Sequence, residues 1–163
     1  MTIAAAPTTD TTRPFRRQVG DPTKRPPELT VPEMFRRTVA RSPQKSALLH
    51  KESGEYRAIS YGELAERVRH FALGLIELGV VPGDRIALLS ENRPEWAIVD
   101  LAALSIGAVN TTLYSTLPAP QVQYIAGDSG ARLLIVSNKK QLEKALAVRE
   151  SLPELACVVV MDP

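Results

Sequence analysis

Residues 81–114 read VPGDRIALLSENRPEWAIVDLAALSIGAVNTTLY, and this stretch decides the fold. Arg85 to Ser90 predicts a short apolar strand that follows the turn Pro82, Gly83, Asp84. Pro94 sits near a helix start, where a missing backbone N–H costs nothing, and Trp96, Ile98, Val99, Leu101, Leu104 and Ile106 follow with Asp100 as their only charged companion. A helix with that pattern is buried nearly all round. Gly107 ends it and Ala108 to Leu113 reads as a second strand, which makes the unit a right-handed βαβ crossover of a parallel sheet.

Working outward, the pattern continues on both sides. Upstream, Ser60 and Glu63 form a capping box before Leu64, Val68, Phe71, Leu75 and Leu78, a stripe at alternating spacings of four and three that Gly79 closes. Glu63 with Arg67 and Glu66 with His70 are set for i,i+4 pairing on the wet face. Ala47 to His50 and Tyr56 to Ile59 flank Ser53 and Gly54 and predict a small antiparallel hairpin, read as an edge element. Thr30 and Glu33 predict another capping box, with Val31, Met34, Phe35 and Val39 on one helical face and Ser42 and Pro43 as the stop. Downstream, Pro118 to Asp128 reads as a helix, Arg132 to Ser137 as a strand, Lys139 to Ser151 as a helix and Ala156 to Met161 as a strand. Helices alternating with strands in this way argue an α/β fold, a partly parallel sheet flanked by helices.

Composition sets the remaining bounds. The chain has 163 residues, enough for one domain with a sizeable core, and its 20 basic against 18 acidic residues leave it near neutrality. The basic residues are neither gathered on one helix nor interleaved with aromatics, so nothing points to nucleic acid. The longest near-apolar run, Trp96 to Val109, is about 14 residues and falls short of the ~17 to 25 of a membrane-spanning helix. Pro7, Asp10 and Arg13 stand where a signal peptide needs an apolar core, and the single Cys157 fits a reducing compartment, so the expected location is cytoplasmic. Residues 1–27, rich in Thr, Pro and Arg, read as a flexible arm whose cluster Arg13, Arg16, Arg17, Lys24 and Arg25 could meet an acidic surface or simply be solvated. Residues 28–163 form the folded unit.

Motifs that carry chemistry are absent. There is no GxGxxG, no GxxxxGK[ST] and no GxSxG, so neither a phosphate cradle nor a nucleophile elbow is written into the chain. His50 and His70 lie on different elements without Cys or carboxylate at ligand spacing and read as packing or surface residues. Cys157 precedes a run of valines, which suits a buried inert thiol rather than a nucleophile.

Several runs in a fixed order carry a resemblance. Ile59 to Leu64, Leu78 to Arg85, and Asn92, Arg93, Pro94, Glu95, Trp96 together resemble the N-terminal part of the large domain of adenylate-forming, AMP-binding enzymes, most closely the long-chain fatty acyl-CoA synthetases. Thr112 departs from the family, which often has proline before Leu-Tyr at that loop. The resemblance implies an ATP-dependent ligase that joins a fatty carboxylate to AMP and then passes the acyl group to the thiol of coenzyme A, with Mg²⁺ neutralising phosphate charge. In the family the phosphate loop, the adenine and ribose contacts and the catalytic lysine lie downstream of the region matched here, so no catalytic residue is assigned and the 163-residue chain alone is expected to be inactive. One binding role is implied: Tyr114, Ser115 and Thr116, with Lys139 and Lys140, correspond roughly to a surface that meets the nucleotide end of coenzyme A. An aromatic beside small polar residues suits adenine and lysines suit a 3′-phosphate; the plainer alternative is a turn beside a solvated lysine pair.

Two other readings stand beside this one: a free-standing α/β interaction or regulatory domain, and part of a fatty acyl-AMP ligase that serves a carrier protein. A parallel sheet needs both faces covered, so exposed apolar surface is expected, with homodimerisation or aggregation as its consequence and peripheral membrane contact left open.

Overall fold

A computed structural model describes residues 29–162. The arm at 1–27 and its basic cluster lie outside the described residues.

Two hairpin strands precede the βα units. Helix α1 spans Val31–Arg41, strands β1 and β2 span Ser46–Glu52 and Glu55–Ser60, and helix α2 spans Tyr61–Glu77. The parallel part follows as β3 (Arg85–Ser90), α3 (Pro94–Ser105), β4 (Val109–Tyr114), α4 (Ala119–Asp128), β5 (Leu133–Val136), α5 (Lys139–Val148) and β6 (Cys157–Val160). Strands β4, β3, β5 and β6 lie side by side in that order and every pair is parallel. The predicted strand pair 85–90 and 108–113 is therefore present, with β4 shifted by one residue. The helix predicted to run to Ser151 is shorter: α5 stops at Val148 and a single 3₁₀ turn, Arg149–Ser151, completes the segment.

Side-chain alternation on the central strands builds two cores. Ile86 and Leu88 of β3 and Leu133 and Ile135 of β5 point toward α2 and α3, where they meet Leu64, Val68 and Leu75, and Ile98, Val99 and Ala103. Ala87 and Leu89, with Leu134 and Val136, point the other way, toward Val122 of α4 and Ala145 and Val148 of α5. Helices cover both faces because the strands are apolar on both. Helix α3 fits this setting: Pro94 occupies its first turn, no residue before Ser105 is fully exposed, and its one charge beyond the first turn, Asp100, accepts from Asn110 Nδ2 of β4 at 2.8 Å. Gly107 turns the chain out of α3 at φ +78°, and a side-chain carbon there would lie 3.2 Å from Pro82 Cβ, so both conformation and space call for glycine.

Local predictions fared unevenly. The Ser60–Glu63 box is complete: Ser60 Oγ accepts from the Glu63 amide at 3.2 Å while the Glu63 carboxylate accepts from the Ser60 amide at 2.8 Å. At α1 only half of the box forms. Thr30 Oγ1 accepts from the Glu33 amide at 3.3 Å, but the Glu33 carboxylate pairs with Arg37 at 2.6 Å instead of reaching back. Glu63 is likewise spent on its cap, and Glu66 takes Arg69, three residues on, instead of His70. Val31 and Met34 are exposed, with Phe35 the α1 residue that packs on the core. Leu78 is exposed too, and Ala72 completes the buried stripe of α2. The hairpin, turning at Ser53 and Gly54 with positive φ at both, is not an edge of the parallel sheet; it forms a two-stranded sheet of its own.

Candidate functional site

In a parallel sheet all four carboxyl ends lie along one edge. Strand β3 leads through α3 to β4 on one side, and β5 leads through α5 to β6 on the other, with α3 and α5 on opposite faces. The direction in which successive strands are added to the sheet therefore reverses between β3 and β5. In open α/β sheets a crevice at such a switch point is where ligands bind.

Two residues just past β3 tie the strand ends together. The Glu91 carboxylate accepts from Ser137 Oγ at 2.5 Å, Gln141 Nε2 at 2.8 Å and Asn138 Nδ2 at 3.3 Å, all three donors lying at the end of β5 and the start of α5. Asn138 also caps α5, its Oδ1 accepting from the Gln141 amide at 3.2 Å. Gln141 Nε2 donates a second bond to the Ser115 carbonyl beyond β4 at 3.1 Å, and Lys144 Nζ reaches the same oxygen at 2.7 Å. Arg93 makes the other tie: its guanidinium grips Asp162, past β6, through two bonds at 2.6 and 2.9 Å, and it also holds Glu95 at 2.7 Å.

The electrostatics follow from those contacts. Burial pushes the Glu91 carboxyl up, yet the donors Ser137, Gln141 and Asn138 outweigh it and hold the group below its ordinary value. Glu95 behaves likewise, burial opposing and Arg93 prevailing, and Arg93 bonding lowers Asp162. The bonds to Asp162 and Glu95 in turn raise the Arg93 guanidinium. Because these carboxyls titrate lower when folded, the folded state binds fewer protons, and their stabilisation is fully present above the ordinary values of 4.5 for Glu and 3.8 for Asp. It is lost as pH falls below those values and through the folded ones. Thermal midpoints are expected to hold from neutrality to just above 4.5 and then to drop, with a shallower drop in Glu91→Gln. A variant as acid-sensitive as the parent would show that Glu91 plays no part.

Of the residues singled out from sequence, Tyr114 is 81% exposed, Thr116 is exposed, and Lys139 and Lys140 are exposed on the first turn of α5. Ser115 is brought against α5, but through Gln141 and Lys144. Sequence reasoning missed Glu91, Arg93, Ser137, Gln141, Lys144 and Asp162. The available signal was the polar run Ser90 to Arg93 at the carboxyl end of an apolar strand. Among the described residues no group of three or more His, Cys, Asp or Glu side chains gathers to hold a metal. A groove of about 880 Å³ runs beside β6 on the α2 and α3 face between Phe71, Leu75, Leu78, Val159 and Met161; among the described residues nothing covers this apolar margin of the sheet.

Comparison with known proteins places the chain. The family model described as "AMP-binding enzyme" matches residues 35–163. A long-chain-fatty-acid–CoA ligase of Xenopus laevis is 32% identical over 133 residues, which is 82% of this chain and 18% of that protein. A long-chain-fatty-acid–CoA ligase of Bos taurus is 35% identical over 131 residues, 80% of this chain and 18% of its own length. In solved structures the fold recurs in an anthranilate CoA ligase in complex with anthranoyl-AMP, with a TM-score of 0.74 and 25% identity, over 80% of this chain and 24% of that one. The chain thus spans about a fifth of the length of the curated relatives it matches.

Proposed function

Because the chain belongs to the AMP-binding enzyme family, we propose that it forms the N-terminal part of the large domain of an ATP-dependent long-chain fatty acid–CoA ligase. The observation that carries this reading is the pair of long-chain ligases at 32% and 35% identity across four-fifths of the chain. When bound, ATP supplies the phosphorus that activates the carboxylate, Mg²⁺ the charge that screens its phosphates, and coenzyme A the thiol that accepts the acyl group.

The chain's own residues fit these groups unequally. Two of the cations around the switch point are taken: Arg93 is held by Asp162 and Glu95, and Lys144 by the Ser115 carbonyl. The side-chain donors of Ser137, Asn138 and Gln141 are already spent on the Glu91 carboxylate. With those donors spent on a carboxylate, the strand ends suit a triphosphate poorly, and no step of the reaction is assigned to them. Tyr114, Thr116, Lys139 and Lys140 are exposed and free to meet the nucleotide end of coenzyme A, adenine against the ring and 3′-phosphate against the ammonium groups.

The test is a chimera. Residues 35–163 replace the matched segment of a long-chain ligase relative, and fatty-acid-dependent pyrophosphate release and acyl-CoA formation are measured beside the 163-residue chain alone. The chimera is expected to turn over and the chain alone to be silent. In the chimera, Lys139→Ala with Lys140→Ala raises KM for coenzyme A several-fold and leaves pyrophosphate release unchanged. A soluble, folded chimera without activity counts against the assignment; turnover by the chain alone would relocate the site into these residues.

A further inference from the structure

We propose that the switch-point crevice is an anion seat that the chain fills with its own Glu91 carboxylate, which makes Glu91 a positioning residue for the α5 N-terminus and the 114–116 loop. Three observations carry it. First, the donors converge on one point: Ser137 is 0% exposed and Gln141 1%, and both side chains donate to the carboxylate. Second, α5 has no acidic residue in its first turn, and the carboxylate that its cap residue Asn138 and its own Gln141 donate to comes from just past β3, a different element. Third, Gln141 Oε1 is buried without a partner. The amide is turned so that Nε2 serves both Glu91 Oε1 and the Ser115 carbonyl, and the cost of a bare buried acceptor shows how strongly the carboxylate sets its orientation.

The consequence reaches the neighbouring loop. Gln141 stands between the carboxylate and Ser115, so the Glu91 charge, together with Lys144, holds the loop that carries Tyr114 and Thr116 against the helix that carries Lys139 and Lys140. A phosphate from outside finds the seat taken and is left the rim. This inference rests on the geometry of the strand ends and is independent of the proposed chemistry.

The seat is tested by emptying it in the 163-residue chain. Thermal midpoints of the parent, Glu91→Ala and Glu91→Gln are measured in acetate, phosphate or chloride at equal ionic strength. Glu91→Ala is expected to melt several degrees below the parent and to recover saturably with acetate or phosphate but not chloride, since an ion that binds only the folded seat stabilises by mass action. Glu91→Gln, which fills the space without the charge, is expected not to recover, and the parent to ignore all three ions. Recovery with chloride as large as with acetate, or a parent stabilised saturably by phosphate, overturns the proposal. Should Glu91→Ala fail to fold, Gln141→Leu decides it: amide exchange at Ser115 to Leu117 is expected to quicken roughly tenfold while the strands β3 and β5 keep their protection. Unchanged exchange at that loop overturns the positioning role.

Discussion

Leu88→Ala is expected to cost about 2–5 kcal/mol, the range for a buried leucine truncated in a core that cannot collapse around the loss. Leu88 is 0% exposed, at the middle of β3, opposite Thr112 of β4 and Ile135 of β5. Its side chain belongs to the core beneath α2 and α3, and the strand it sits on is held on both sides, so neither sheet nor helices can close the hole without breaking a parallel ladder. Against a typical total of about 5–15 kcal/mol, that loss removes a large share of the stability. Leu49 on the hairpin, 67% exposed, is the matched control; Leu49→Ala is expected to stay within about 0.5 kcal/mol. Urea denaturation followed by circular dichroism checks both. Equal midpoints for the two variants would contradict the placement of β3 at the centre of the sheet.

The property that makes Leu88 costly to truncate also makes β3 legible in the sequence. An apolar run flanked by a Pro-Gly-Asp turn and a proline-led helix has few other places to go, and the parallel pair with β4 follows from the helix between them. Contacts within one turn of helix are legible too, as Ser60 with Glu63 shows, because both partners are fixed by the same local geometry. The failures occur where an alternative partner is equally near. Glu33 has Thr30 behind it and Arg37 ahead of it at helical spacing and takes Arg37, while Glu63, with Ser60 behind it and Arg67 ahead of it, takes its cap. Leu78 shares the stripe of α2 but sits past the helix's last turn, where Ala72 already completes the packing.

The strand-end site is harder to see for a different reason. Glu91 lies 46 positions from Ser137 and 50 from Gln141, and Arg93 lies 69 from Asp162. No period or motif links residues that far apart; only the order of strands brings them to one edge. Spacing reveals what a helix or a hairpin does, and topology decides what a sheet gathers. The resemblance pointed to Tyr114, Ser115, Thr116, Lys139 and Lys140 on family grounds, yet the residues that hold this surface in place are Gln141 and Lys144. A further inequality concerns substrate. The fold recurs in a ligase for anthranilate, so the fold alone names no substrate.

Arg93→Ala is expected to loosen the end of β6 more than any other part of the sheet. Among the described residues strand β6 pairs over Cys157–Val160 with β5 alone, and a strand held on one side opens first when its end is released. Arg93 holds Asp162, just beyond β6, with a two-pronged grip, and it also bonds Glu95 on the first turn of α3 and, at 3.5 Å, the Ser137 carbonyl. Without the guanidinium, Glu95 keeps a half-buried charge with no cation beside it, and Asp162 retains only its amide bond to the Ser137 carbonyl at 3.1 Å. Amide exchange over Val158 to Asp162 is expected to quicken roughly tenfold or more while β3 and β5 stay protected. Arg93→Lys separates charge from geometry: lysine keeps the charge but cannot reproduce the paired bonds, so it should fall between the parent and the alanine variant. If lysine matched arginine, charge alone would hold the strand end. If alanine matched arginine as well, β6 would owe its place to the ladder with β5, and the tie between β3 and the last strand would have no energetic weight.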